Sequence, residues 1–120
     1  MDSKILEGRL KTLAYRIVAM CEHLPKSKIA DIVERQLLRS AFSAVANYRS
    51  ACKGISVRAF VSKLSIAFEE ADETLFWLEV ISDLKLIPAK KLTLLLKESN
   101  EVSSILASSR KTLQSKAEKK

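Results

Sequence analysis

From Gln36 to Ile81 the chain runs through two long helical patterns with a single interruption, at Lys53-Gly54-Ile55-Ser56. Apolar residues recur there every three or four positions, the spacing that gathers them on one face of an α-helix. The whole sequence holds only two glycines and two prolines in 120 residues. So few backbone breakers argue against a sheet rich in turns and leave long helices as the main element. With 48% hydrophobic and 29% charged residues, the composition is that of a globular chain and excludes disorder for its bulk. The length suits one domain with one core.

Four helices are predicted, all-α and within residues 1–113. The first covers about 3–24, with Ser3 as its N-cap and an apolar stripe through Leu6, Leu10, Leu13, Ile17 and Cys21. It ends at Leu24-Pro25, because the residue before a proline is pushed out of the α region. The second covers about 28–53, capped by Ser27, with Val33, Leu37, Ala41 and Tyr48 on its core face. A further apolar line, Ile32, Leu38, Phe42 and Ala46, hints that this helix is buried on two sides. Gly54 is the expected residue of positive φ after its end. The third helix covers about 56–83, with Ser56 as N-cap. The fourth covers about 88–113 and opens on Pro88, a residue suited to a first helical turn. Residues 114–120 form a polar, basic tail without apolar partners, expected to fray. Short connections make sequential helices antiparallel, so an up-down-up-down bundle follows.

Cys21 and Cys52 both lie in helical patterns and are expected to be buried or half-buried thiols in a reducing compartment. Met1-Asp2-Ser3-Lys4 leads straight into an amphipathic helix, and no apolar run approaches about 18 residues. A cytoplasmic protein with no membrane partner is expected.

The formal charge is +7, which favours a polyanionic partner. Its distribution is uneven. Residues 26–55 and 89–120 are strongly basic, whereas residues 56–88 are net acidic. Arg35, Arg39, Arg49 and Lys53 fall along one strip of the second helix, a possible phosphate-tracking ladder. The acidic third helix offers the alternative. Arg39 is read as a structural ion pair with Glu70 and Glu73, while Arg49 and Lys53, nearer the end of the bundle, stay open between pairing and phosphate contact. Lys90, Lys91, Lys97, Arg110 and Lys111 on the fourth helix have only Glu98 and Glu101 nearby. They are the stronger candidates for a polyanion, with a solvated face as the alternative.

Catalytic constellations are missing. Glu70 and Glu73 make an E-x-x-E, but a di-iron bundle needs Glu-x-x-His pairs, and the only histidine is His23. There is no glycine-rich phosphate loop and no nucleophile elbow. Neither enzymatic activity, nor a metal, nor a cofactor is expected. Phe42, Tyr48, Phe76 and Trp77 have ring faces able to stack bases, but aromatics at helical spacing are more often core or subunit interface.

The run Gln36-Leu37-Leu38-Arg39-Ser40-Ala41, then Ser43 and Ala46-Asn47-Tyr48-Arg49, resembles the signature helix of the bacterial four helix bundle proteins encoded in intervening sequences of large-subunit ribosomal RNA genes. The resemblance continues through Ser56, Phe60, Lys63-Leu64, Ile66-Ala67, Glu70-Ala71, Glu73-Thr74-Leu75 and Trp77-Leu78-Glu79, and covers about residues 5–110. It implies an antiparallel four-helix bundle assembled into a ring-like homo-oligomer, a pentamer. A related branch, the accessory variability protein of diversity-generating retroelements, binds nucleic acid and a reverse transcriptase. Two positions depart from the family's pattern. Ser50 and Ala59 stand where acidic residues are usual, which raises the positive potential near the turn between the second and third helices.

Composition and resemblance together lead to one expectation: a non-enzymatic oligomeric bundle that binds nucleic acid, with structured RNA foremost, through basic surfaces of its second and fourth helices. The alternative is a scaffold whose main partner is another protein, such as a reverse transcriptase.

Overall fold

The computed structural model describes the backbone of residues 2–118 and the side chains of residues 2–116. Four helices make one bundle: α1 Ser3–Cys21, α2 Lys28–Cys52, α3 Val57–Asp83 and α4 Thr93–Glu118, with a 3-10 turn at Ala89–Lys91 before α4. The bundle is elongated, with Cα extents of 51 × 21 × 21 Å. Helix α3 packs extensively on both α2 and α4, whereas α1 touches α4 only lightly. The acidic helix therefore lies between the two basic ones.

Side chains fix the helix starts. Ser27 Oγ accepts from Ala30 N at 3.2 Å and Ser56 Oγ from Ala59 N at 3.1 Å, each satisfying an amide that a helix start leaves without a partner. The expected Ser3 cap is corrected: Asp2 takes that position and its carboxylate accepts from Lys4 N at 2.7 Å. Ends differ as well. Helix α1 stops at Cys21 and not at 24, because His23 N and Leu24 N turn back to the Met20 and Cys21 carbonyls in tight i→i−3 bonds ahead of Pro25. Pro88 does not open α4. Its ψ of 135° is extended, and Lys91 N bonds its carbonyl to form the 3-10 turn. At the other end, α4 continues past 113 to Glu118, so the expected tail is helical over residues 114–118. Gln, Ser, Lys and Ala sustain the helix there by propensity; the last two residues of the expected tail, 119 and 120, lie outside the described residues.

Two turns carry special backbone. The expectation of positive φ at Gly54 is corrected, since no described glycine adopts it. Glycine is needed there for proximity: a Cβ at Gly54 would stand 3.0 Å from the Ala51 carbonyl oxygen and 3.3 Å from Phe60 N. The left-handed residue is Lys85, at φ 56°. It closes α3 with Leu86 N bonded to the Ile81 carbonyl and Lys85 N to the Ser82 carbonyl, the paired bonds of a Schellman motif.

The core follows the apolar stripes. Leu6, Leu10, Ile17, Val33, Leu37, Leu64, Leu78, Ile81, Leu92, Val102 and Leu106 are all buried. It also holds a polar seam. Thr74 Oγ1 lies 2.8 Å from the Glu70 carbonyl and 3.0 Å from Ser40 Oγ, which donates to the Leu37 carbonyl at 3.0 Å. Within the single chain α2 buries one side: Ile32 and Phe42 of the second apolar line face outward, and only Leu38 of that line packs against the core. Cys21 is buried and its thiol is pushed up to about 12, first by burial and then by Glu34. Cys52 is exposed, contrary to expectation, because it closes α2 beyond the last core residue, Ala51.

Candidate nucleic-acid interface

Two arginines take up four glutamates, and their pairing decides which cations are left over. Arg39 on α2 places Nη1 2.6 Å from Glu70 and Nη2 2.6 Å from Glu73, both on α3. Glu73 also accepts from Trp77 Nε1 at 3.1 Å. Burial raises the Glu73 carboxyl, but the hydrogen bonds from Arg39 and Trp77 outweigh it and hold the group below the ordinary carboxylate range. Arg9 on α1 makes the second clamp. Its Nη2 and Nε lie 2.7 and 3.0 Å from the two oxygens of Glu98, and Nη2 reaches Glu101 at 2.9 Å. Those bonds, Glu98's first, keep the guanidinium charged more firmly than in water, against a smaller opposing effect of burial. Nothing local in the sequence announces this contact, since Arg9 stands 89 residues from Glu98.

Glu98 and Glu101, the only carboxylates near the α4 cations in sequence, are therefore occupied from α1. Among the described residues, Arg49, Lys53, Lys90, Lys91, Lys97, Arg110 and Lys111 form no salt bridge. They do not form one surface. Arg49 and Lys53 end α2 and line a hollow of about 550 Å³ with Ser3, Lys4 and Glu7 at the start of α1. Lys90 and Lys91 sit in the 3-10 turn, where Lys91 joins Arg16 and His23 around a hollow of about 450 Å³ floored by Met20, Ile87 and Leu95. Lys97 is exposed on the next turns of α4. Lys111 lies 20 residues beyond Lys91, about 30 Å along the helix axis.

The single strip expected on α2 is corrected: Arg39 turns to α3, whereas Arg49 turns to α1. Ten residues separate them, enough helical rotation to face different neighbours. Arg110 is also corrected as an open cation. It is half-buried with its guanidinium carbon 4.5 Å from the centre of the Phe68 ring, and its Nε is buried without a hydrogen-bond partner among the described residues. That arrangement is a cation–π contact within the bundle.

The aromatics divide likewise. Tyr48 is buried, and Trp77 is half-buried, bonded to Glu73 and edge-on to Phe76 at 4.9 Å between ring centroids. Phe42 is exposed and meets Tyr15 of α1, with centroids 6.3 Å apart. Tyr15 and Lys11, which lines the same hollow, were not legible as functional because both fall on the polar side of α1. Asn47 spends its amide on its own helix, donating to the Ser43 carbonyl at 2.9 Å.

These features define an all-α bundle clamped by two arginine–glutamate networks, with unpaired cations at both ends. Among the described residues there is no cluster of histidine, cysteine and carboxylates placed to hold a metal ion, and no helix long and apolar enough to cross a membrane. The model of the 23S rRNA-intervening sequence protein family matches residues 8–108, and the chain belongs to that family. A crystal structure of a protein of unknown function from the S23 ribosomal protein family of Bacteroides thetaiotaomicron is similar to it, at 31% identity and a TM-score of 0.82, covering 92% of this chain and 99% of that one. Comparison with curated proteins finds no match.

Proposed function

We propose that this chain is a non-enzymatic cytoplasmic bundle that binds nucleic acid, structured RNA foremost, through its unpaired cations. The observation that carries this reading is the occupation of Glu70, Glu73, Glu98 and Glu101 by Arg39 and Arg9. With those carboxylates bonded to Arg39 and Arg9, the cations Arg49, Lys53, Lys90, Lys91, Lys97 and Lys111 form no salt bridge among the described residues and are open to phosphates. Such contacts are made by charge and shape, without base-specific readout, and release counterions. The bundle is read as antiparallel, up-down-up-down: the start of α1 lies beside the end of α2, and Leu113 of α4 lines a hollow with Gly54 and Phe60. It is further read as a ring-like pentamer, the assembly the sequence resemblance implies, for which exposed apolar side chains such as Ile29, Ile32, Ile66 and Phe76 offer contact surface.

The test compares RNA binding by the intact chain with that of Lys90→Glu/Lys91→Glu/Lys97→Glu and Arg49→Glu/Lys53→Glu variants across a salt series. Binding that weakens in both variants, with a shallower salt slope, supports the reading. Unchanged binding in both overturns it.

The second reading, a scaffold for a protein such as a reverse transcriptase, draws on Ile55. That side chain is 99% exposed at the α2–α3 turn, beside a hollow of about 370 Å³ lined by Val57, Phe60 and Leu113. Capture of the partner protein that is lost on Ile55→Asp, with RNA binding absent in the intact chain, would favour it.

A further inference from the structure

The outer groove between α1 and α2 pairs exposed aromatic surface with positive charge. Tyr15 is 57% and Phe42 40% exposed, and their rings stand 6.3 Å apart at an interplanar angle of 49°. The two rings form a tilted pair and leave their outer surfaces to solvent. They line a hollow of about 370 Å³ together with Val45, Ala46, Lys11 and Arg49. That volume falls in the range of small-ligand sites. No carboxylate lines it.

Each ring has a cation on its own helix face. Lys11 precedes Tyr15 by four residues, and Arg49 follows Phe42 by seven, both spacings that return to one side of a helix. Arg49 also lines the neighbouring hollow with Lys4, Lys53 and Glu7. The two hollows share Arg49 and together run beside α2 from Phe42 to Lys53, about 16 Å, with Glu7 the one carboxylate lining them. An aromatic platform continued by a row of cations is how proteins hold single-stranded nucleic acid: bases stack on rings while the backbone follows the charge. Duplex bases present no free ring face, so a paired segment cannot use the platform. A purely apolar partner helix fits poorly, because seating it would strip water from Lys11 and Arg49 without giving them a counter-charge.

We infer that the α1–α2 groove takes an unpaired stretch of RNA, one base stacked on Tyr15 and Phe42 with the flanking phosphates on Lys11 and Arg49. This rests on the nucleic-acid reading above and sharpens it, assigning the loops of a structured RNA to this groove and leaving paired segments to the other cations.

The test uses an RNA oligonucleotide carrying 2-aminopurine, whose fluorescence is quenched on stacking, and a duplex of the same length. Intact protein is compared with a Tyr15→Leu/Phe42→Leu variant, and with Arg49→Ala. Both replaced rings are exposed, so circular dichroism should report an unaltered helical fold. The inference expects quenching with intact protein, its loss in the double leucine variant, and a fall of roughly tenfold or more in the ratio of single-strand to duplex affinity. Arg49→Ala should weaken single-strand binding while some quenching persists. Equal ratios in intact and leucine proteins, with intact binding, overturn the groove assignment and leave the nucleic-acid reading standing. A protein that binds neither RNA removes both. A variant that falls apart into smaller species by light scattering, yet binds RNA as before, makes the groove a subunit contact and overturns the inference.

Discussion

Arg9 of α1 and Glu98 of α4 form a two-pronged ion pair at 2.7 and 3.0 Å, joining the two helices that otherwise touch least among sequential and closing neighbours. Glu101 shares the same guanidinium at 2.9 Å. Planar, bidentate geometry makes such a contact stronger than a single surface pair. The pair has a second consequence. It offsets one of the two negative charges that Glu98 and Glu101 place near Lys97 and its neighbours.

Arg9→Ala is expected to destabilise the fold by about 1–2 kcal/mol, more than an ordinary surface pair, because two carboxylates lose their shared donor. Urea denaturation measures it. A change within about 0.3 kcal/mol would show that the clamp adds nothing to helix packing.

Lys85 holds φ 56°, a conformation that costs a residue bearing a Cβ but not glycine. Lys85→Gly should therefore stabilise the chain by about 0.5–1 kcal/mol, and Lys85→Val should destabilise it. Thermal unfolding of the two variants checks both signs. A glycine variant that melts earlier would contradict the cap geometry.

Glu73 gives the fold an acid sensitivity of known sign. Its carboxyl titrates lower in the folded chain than in the unfolded one, so the folded state binds that proton more weakly. The stabilisation is complete above the unfolded value, about 4.3 for a glutamate. It is lost as pH falls from there through the lower folded value. Stability curves of the intact chain and Glu73→Gln should converge as the pH is taken below about 4. Parallel curves down to that range would remove the Arg39–Glu73 pair as a source of stability.

The two thiols should differ in reactivity. Cys52 is exposed, whereas Cys21 is buried with its thiol pushed up to about 12, so little thiolate forms near neutrality. A thiol reagent should label Cys52 in the native chain and both cysteines only in denaturant. Rapid native labelling of Cys21 would show that α1 opens readily.

Periodicity made the helices legible, because a stripe such as Leu6, Leu10, Leu13 and Ile17 has one physical use. The contact of Arg39 with Glu70 and Glu73 was also within reach, since the short Lys53–Ser56 turn sets the register of α2 against α3. The Arg9 clamp was not, because no local rule relates α1 to the middle of α4. Turn details escaped for a different reason. Glycine after a helix usually signals positive φ, but at Gly54 the demand is for space beside Ala51 and Phe60, while a lysine takes the left-handed position at 85. The site was legible only as a set of residue types. Helical rotation between Arg39 and Arg49, and the stacking of Arg110 on Phe68, changed which cations are open.

The central claim is that unpaired cations on this bundle hold nucleic acid. The most direct measurement is the binding constant of the intact chain for a structured RNA across a salt titration, followed by fluorescence anisotropy. The account predicts measurable binding at low salt whose logarithm falls linearly with the logarithm of salt concentration, with a slope of several phosphate contacts at about 0.7–0.9 each. Absence of binding at low salt, or an affinity indifferent to salt, would contradict it.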